Sequence, residues 1–303
     1  MISIPSSTPN RQPHTLDFEP HRFRSTVDHY VRGRLPYPRT LIRRVINATR
    51  LAAGSRVLDL GCGPGFLAFA FEPYVREVIG VDPEPAMLQA ATEHARALSL
   101  EIDFLQGSSY DLPAGLGLFH LIVMGRSFHW MNRAATLRNL ADHVSPKGAI
   151  VLFGDSHPAH FQINQWKQAY QSVLDSYGRT DKVHGSFGRN NPAWVPDEIL
   201  LHESEFNRIE RVSILQQLSM PISRLTDRAL SMSSTSPEKL GSRLPDFLEE
   251  LEATLQPFAR NGRITELVEF EALIGFKEPH PQRPQDRSDT EDHPYPLDPA
   301  AMI

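Results

Sequence analysis

Cysteine is almost missing from this chain, with Cys62 the only one in 303 residues. An intramolecular disulfide is therefore impossible, a zinc site built on several cysteines is equally excluded, and a reducing cytoplasmic setting is expected. Long apolar runs are missing too, for none approaches the roughly 18 residues that a membrane span requires. From Met1 to Pro20 the chain has Pro, Ser and Thr where a secretory signal would need an apolar centre, so a flexible arm is expected there. Nor is there an excess of basic residues. The formal net charge is -5, without the positive footprint of a nucleic-acid binder, so neither a nucleic acid nor a membrane is an expected partner. The remaining composition, 40% hydrophobic and 22% charged, is that of a globular protein long enough to bury a core without covalent staples. Nothing in it sets the oligomeric state.

Charge is nevertheless uneven. Residues 21 to 50 carry eight arginines against the single acid Asp28, on a helix-compatible pattern. Either this is a solvated helix face or some of these arginines meet an anionic group on a ligand. Beyond it, short β-rich runs alternate with helical ones. Arg56 to Leu60, Glu77 to Val81, Ile102 to Gln106, His120 to Met124 and Ala149 to Phe153 read as strands. Pro85 to Leu98 and Arg133 to Val144 space their apolar residues as amphipathic helices do, the first opened by its proline. Such alternation predicts an α/β fold with a doubly wound, mostly parallel sheet. After Phe153 the rhythm changes, and two late strands are expected over Phe206 to Leu218 and Glu266 to Phe276. Between them come Ser231, Ser233, Ser234, Thr235 and Ser236, then a helix over Pro245 to Leu255.

The most informative segment is Val57-Leu58-Asp59-Leu60-Gly61-Cys62-Gly63-Pro64-Gly65-Phe66-Leu67. An apolar strand runs into a turn with glycine at every second position and then into a helix, so backbone can approach a ligand where side chains would collide. Asp82 ends the second strand seventeen residues after Gly65, where a carboxylate can accept both hydrogen bonds of a ribose diol. A dinucleotide loop wants a third glycine where Phe66 stands, with its helix N-terminus on a pyrophosphate. An adenosine without phosphates fits better, and an NAD(P)-dependent oxidoreductase is the alternative.

At these residues the sequence resembles the class I S-adenosylmethionine-dependent methyltransferases, in particular a small-molecule branch with a His-Trp pair after the fourth strand. Asp59 to Gly65 is similar to the first motif of that family and Asp82 to its ribose acid. Gly107-Ser108-Ser109-Tyr110-Asp111-Leu112-Pro113 is similar to the third motif, Gly125-Arg126-Ser127-Phe128-His129-Trp130-Met131 to the fourth, and Tyr30 to Pro38 to a stretch that folds over the methionine end of the cofactor. The likeness covers about residues 23 to 277, and it departs from the family at His120 and at Gly148-Ala149. It implies a Rossmann-like seven-stranded sheet with helical insertions over the active site, S-adenosylmethionine as cofactor, and a small-molecule acceptor methylated on O, N or C, with secondary metabolism as one setting. It also implies a domain over 21 to 277, with a cofactor-binding core over about 50 to 153 and cap segments over about 155 to 205 and 221 to 258. The tail over 278 to 303, dense in Pro, Asp and Arg, is expected to be disordered. The alternative outside enzymes of small molecules is a member of this fold that acts on or binds a protein or RNA.

By the same likeness, Gly61, Gly63 and Gly65 meet the cofactor through backbone and Asp82 holds its ribose, with Pro83, Gly125 and Ser127 also in the cofactor set. Met87 either covers one face of the adenine or belongs to the helix core. Ser108 and Ser109 either approach the adenine edge or bond their own turn. Asp59 either holds the loop, with the cofactor amino group as a further partner, or caps neighbouring backbone as strand-end carboxylates do, and Tyr30 and Arg34 can reach the cofactor carboxylate, which arginine binds with two parallel hydrogen bonds. His129 is the single candidate for acid-base work, against the plainer role of orienting Trp130. Cys62 reads as a small buried residue. His157 and His160 are spaced by three, but Pro158 and the lack of a supporting acid pattern argue against a metal, and none is expected.

Overall fold

A computed structural model describes residues 24–178 and 194–277. The arm expected over 1 to 20, the tail expected from 278 and part of the first cap segment lie outside the described residues. Two helices come first, α1 (Val27–Gly33) and α2 (Arg39–Thr49). Then β1 (Arg56–Leu60), α3 (Phe66–Phe71), β2 (Glu77–Asp82), α4 (Pro85–Leu98), β3 (Asp103–Gln106), β4 (Phe119–Gly125), α5 (Arg133–Ala141) and β5 (Val144–Ser156) alternate as the sequence predicts. The chain continues through α6 (Trp166–Gly178), α7 (Asp197–His202), β6 (Arg208–Pro221), α8 (Ile222–Leu230), α9 (Pro237–Leu240), α10 (Leu244–Leu255) and β7 (Arg263–Phe276). No helix of the described residues is long and apolar enough to cross a membrane.

The seven strands form one sheet in the order β3-β2-β1-β4-β5-β7-β6. Neighbours from β3 to β5 pair in parallel, while β7 runs antiparallel to both β5 and β6. Side chains of a strand alternate between faces, and here the alternation divides the core in two. Val57, Val78, Leu121, Val123 and Val151 join a cluster with α2, α3, α6, α8 and α10. Leu58, Ile79, Ile122, Met124 and Ile150 join another with α5 and α7. Because both faces are covered, these strands read as continuous apolar runs.

Several boundaries differ from expectation. β5 begins at Val144, not Ala149, because Val144 still pairs with Phe119 before the register shifts and Lys147 turns the backbone at φ 66°. Its early start ends α5 at Ala141. The late pair is longer than expected, since β6 and β7 match residue for residue from Arg208↔Phe276 to Pro221↔Arg263. α4 opens at Pro85, with the Glu84 side chain accepting the Ala86 amide, as an N-cap does.

The helices α1 and α8 meet closely. Asp227 of α8 accepts from Arg32 Nε at 3.1 Å and lies 2.7 Å from His29 Nδ1. Beside them Gly33 sits against the α8 backbone, where an added Cβ would stand 2.3 Å from the Arg228 nitrogen. Alanine normally improves a helix by about 1 kcal/mol over glycine. Here Gly33→Ala is expected instead to destabilise the protein by about 1–3 kcal/mol through overpacking. A urea midpoint that is unchanged or raised in this variant would contradict the close packing of α1 on α8.

Candidate active site

The carboxyl ends of β1, β2, β4 and β5 open onto a cavity of about 1100 Å³. It lies where the strand order reverses between β1 and β4, which is where open α/β sheets hold their ligands.

At one end stands the glycine turn. As β1 ends, the Gly61 and Cys62 amides both donate to Val81 O, at 2.7 and 3.1 Å, which fastens the turn to the end of β2. Gly61 has φ 70°, and a Cβ there would lie 2.5 Å from Ser127 Cβ, so a side chain would push the turn off β4. Ser127 Oγ donates to Leu60 O at 3.0 Å from the other side. Asp82 is buried, with Oδ2 accepting from the Gly63 amide at 2.8 Å and Oδ1 from Glu84 at 2.9 Å. Burial pushes its pKa up to about 6 in spite of these two bonds. Gly61, Gly63, Asp82, Pro83, Met87, Ser108 and Ser109 all line this end. Met87 is buried on α4 and also lines the cavity. Ser108 Oγ accepts from the amides of Tyr110 and Asp111, both at 3.2 Å, and so closes its own turn, whereas Ser109 is buried on the wall.

Two expected residues stand apart from this cavity. Gly65 caps α3 and packs against Phe69 and Phe104. Asp59 lines a second, small cavity and its Oδ2 accepts from the Ala68 amide at 3.0 Å. Burial, with Asp82 adding to it against the Ala68 bond, pushes the Asp59 pKa up to about 8. A side-chain oxygen thus takes an amide of the first turn of α3, the turn that a pyrophosphate would need.

Opposite the turn, α1 brings Tyr30, and Arg34 follows at its C-cap. The Arg34 guanidinium lies 5.3 Å from the Tyr30 ring centroid, and Nε donates to Ser231 Oγ at 2.8 Å. Among the described residues no carboxylate pairs with it, and burial lowers its pKa. Of the described arginines between 24 and 50, Arg34 is the one that lines the cavity, while Arg32 meets Asp227. Gly125 closes the wall beneath, against Leu67 and Tyr37. His129 and Trp130 lie on a short turn after β4, with ring centroids 4.9 Å apart. His129 is exposed at the cavity wall and Trp130 half-buried.

An inner cluster was missed by sequence reasoning. Arg126 pairs with Asp155, His157 Nε2 lies 3.3 Å from Asp155 Oδ2, and His157 Nδ1 lies 3.3 Å from Glu266 Oε2. Arg228 grips Glu266 at 2.8 and 3.0 Å. Burial opposes ionisation of both acids, yet Arg126 and His157 hold Asp155 far below the usual carboxylate range, and His157 and Arg228 hold Glu266 down at about 2. A signal was available. Glu266 shares a strand face with Ile264, Val268 and Phe270, and Arg228 shares a helix face with Leu225 and Ala229; ionic groups inside apolar stripes are rarely there without a partner.

These groups suit a nucleoside that bears an amino acid. One end offers a buried carboxylate with its backbone partners already in place beside glycine backbone and Met87, and across from it stands an arginine that no carboxylate of the described residues pairs.

Comparison with known proteins agrees. Residues 57–148 match the model of a methyltransferase domain. An uncharacterized methyltransferase of Mycobacterium tuberculosis is 31% identical over 242 residues, covering 79% of this chain and 89% of that one. A probable S-adenosylmethionine-dependent methyltransferase of Saccharomyces cerevisiae is 26% identical over 57% of this chain, which spans 58% of the yeast protein's length. The crystal structure of the YcgJ protein of Bacillus subtilis shares the fold, with a TM-score of 0.50 and 21% identity over 80% of this chain and all of that one. With its glycine turn and ribose acid at the head of a seven-stranded sheet, the chain belongs to the class I S-adenosylmethionine-dependent methyltransferases.

Proposed function

We propose that the protein methylates a small molecule on oxygen, nitrogen or carbon, and that Tyr30, Arg34, Gly61, Gly63, Asp82, Pro83, Met87, Ser108, Ser109, Gly125 and Ser127 hold the cofactor. The observation that carries this reading is one continuous cavity with a ribose acid at one end, an unpaired arginine across from it and space to spare. A volume of about 1100 Å³ lies above the roughly 300–1,000 Å³ usual for a single ligand site. A concave chamber of this kind favours a small acceptor over a flat protein or RNA surface.

S-adenosylmethionine supplies a methyl group on a sulfonium, a leaving group that needs no acid. The chain's residues therefore serve mainly to bind and orient. Asp82 accepts from the ribose hydroxyls, the Gly61 and Gly63 backbone admits the ligand closely, and Arg34 donates to its carboxylate. Asp59 acts at one remove, by fixing the start of α3, and Gly65 by packing. Holding two reactants in line contributes about 7–11 kcal/mol, which suffices without a triad. Where the acceptor carries a proton of high pKa, the His129 imidazole at the wall is the group to take it.

Three outcomes are expected. Asp82→Asn turns an N–H donor toward a backbone amide or the ribose, so binding of S-adenosylhomocysteine should weaken by about 10- to 100-fold. Because the Asp82 carboxylate is ionised above a pKa of about 6, affinity should also fall as pH drops through that value. Titration calorimetry checks both, and an unaltered affinity would remove Asp82 from the site. His129→Ala should reduce turnover while leaving cofactor affinity intact; an equal rate would exclude it from the chemistry. The acceptor itself can be sought by incubating the protein with methyl-labelled cofactor and fractions of a metabolite extract, with mass spectrometry of labelled products. Label appearing on protein or RNA instead of a small molecule would overturn the reading.

A further inference from the structure

The inner end of the cavity holds more positive than negative charge. Arg34, Arg126, Lys167 and Arg228 converge there on Asp155 and Glu266, with His157 between the two acids. Asp155 is occupied by Arg126 and His157. Glu266 meets Arg228 through both oxygens, and its Oε2 also faces His157. Two cations have no acid to themselves. Arg34 rests on Ser231 Oγ. Lys167 Nζ lies 3.9 Å from Glu266 Oε2, beyond hydrogen-bond reach of an oxygen already engaged. Acids elsewhere on the wall stand away from this end: Asp82 and Glu84 lie at and just after the end of β2 and accept backbone amides, Asp197 pairs with Arg133, and Glu198 and Glu271 pair with Arg211 toward solvent.

Lys167 is half-buried, 5.2 Å from the Trp166 ring centroid, and its one close acid is an oxygen that Arg228 and His157 also use; a cation held in this way usually shifts its pKa or meets a further partner. Burial lowers the Lys167 pKa to about 8 even with Glu266 nearby. Methyl transfer accounts for one surplus charge, since Arg34 faces the cofactor's carboxylate. It does not account for Lys167, which reaches the cavity from α6. Tyr170 itself is fixed by donating to Leu225 O at 3.1 Å, and it stands in the field of both Arg34 and Arg228.

We propose that Lys167 receives a carboxylate of the methyl acceptor, so that the substrate is an organic acid. The inference rests on the methyltransferase reading above. One ammonium matches one carboxylate. A doubly charged phosphate would set its second charge against Asp155 and Glu266, two acids that are already ionised and fully engaged.

The test is equilibrium binding, independent of turnover. Wild-type protein saturated with S-adenosylhomocysteine is titrated with benzoate, phenylacetate, succinate and adipate, with the amide of each, and with phenyl phosphate. The same titrations are run on Lys167→Met and Lys167→Arg. The expected result is that a carboxylate binds the complex better than its amide, that Lys167→Met loses this preference by about 10-fold or more, and that Lys167→Arg keeps most of it. Retained binding of S-adenosylhomocysteine by Lys167→Met shows that the variant is folded; if that variant does not fold, loss of the preference in Lys167→Gln carries the same expectation. Carboxylates binding no better than their amides, phenyl phosphate binding in their place, or a preference indifferent to Lys167 would each overturn the proposal while leaving methyl transfer standing. Failure of the wild type to bind S-adenosylhomocysteine would sink the methyltransferase reading and this inference with it.

Discussion

Arg126 is the knot that holds the two halves of the site together. It sits just past β4 with a left-handed backbone, φ 57°, a conformation that costs an ordinary residue about 1–2 kcal/mol. In return its amide donates to Phe153 O, its guanidinium pairs with Asp155 and donates to Leu35 O, and its plane lies 4.5 Å from the Tyr37 ring centroid. The ends of β4 and β5 and the segment after α1 therefore converge on a single buried side chain. Through that convergence the segment that carries Tyr30 and Arg34 is tied to the ends of β4 and β5. The contact of α1 with α8 sets the same segment from the opposite side, so the amino-acid end of the ligand site is positioned by elements about two hundred residues apart in the chain.

The cavity is graded in character. Near β1 and β2 its polar groups are backbone amides, the Ser108 and Ser109 hydroxyls and the carboxylates of Asp82 and Glu84, a lining that suits neutral hydroxyls and a base. Near β5, α6 and α8 it is ionic, and the ions are arranged in a chain from Arg126 through Asp155, His157 and Glu266 to Arg228. Buried pairs of this sort add little net stability compared with apolar residues of like volume, although removing one partner costs about 3–5 kcal/mol. Their presence is better explained by function than by folding. They keep the inner wall rigid and polar, next to a donor that brings its own positive charge.

Much of this was legible locally. β1, β2 and α4 announce themselves because their signals lie within ten or fifteen residues: an apolar run, a glycine turn, a proline at a helix start. The place of Asp82 beside the glycine turn was readable because it ends the strand that comes next in sequence after the turn. What was not legible depends on distance. Asp59 is a strand-end acid in the sequence, but that it would take the Ala68 amide follows from where α3 turns, and Gly65 faces Phe69 and Phe104 only once β3 is in place. The start of β5 was hidden by Pro146-Lys147-Gly148, which reads as a break yet is spanned by pairing with β4. The inner ionic cluster draws on β4, β5, α6, α8 and β7. No window of sequence contains it, and only the misplaced charges at Arg228 and Glu266 hint at it.

The glycine turn after β1 also contains the sole sulfhydryl of the sequence, Cys62, with its Sγ tucked toward Gly80 and its side chain buried. Burial, and then the nearby Asp82 and Asp59, raise its pKa well above that of a free thiol, so the nucleophilic thiolate is scarcely populated. Oxidants and alkylating agents act on thiolates that they can reach. The one thiol of the sequence is in this way withheld from reagents that act through the thiolate, although it sits in the turn at the head of the cavity.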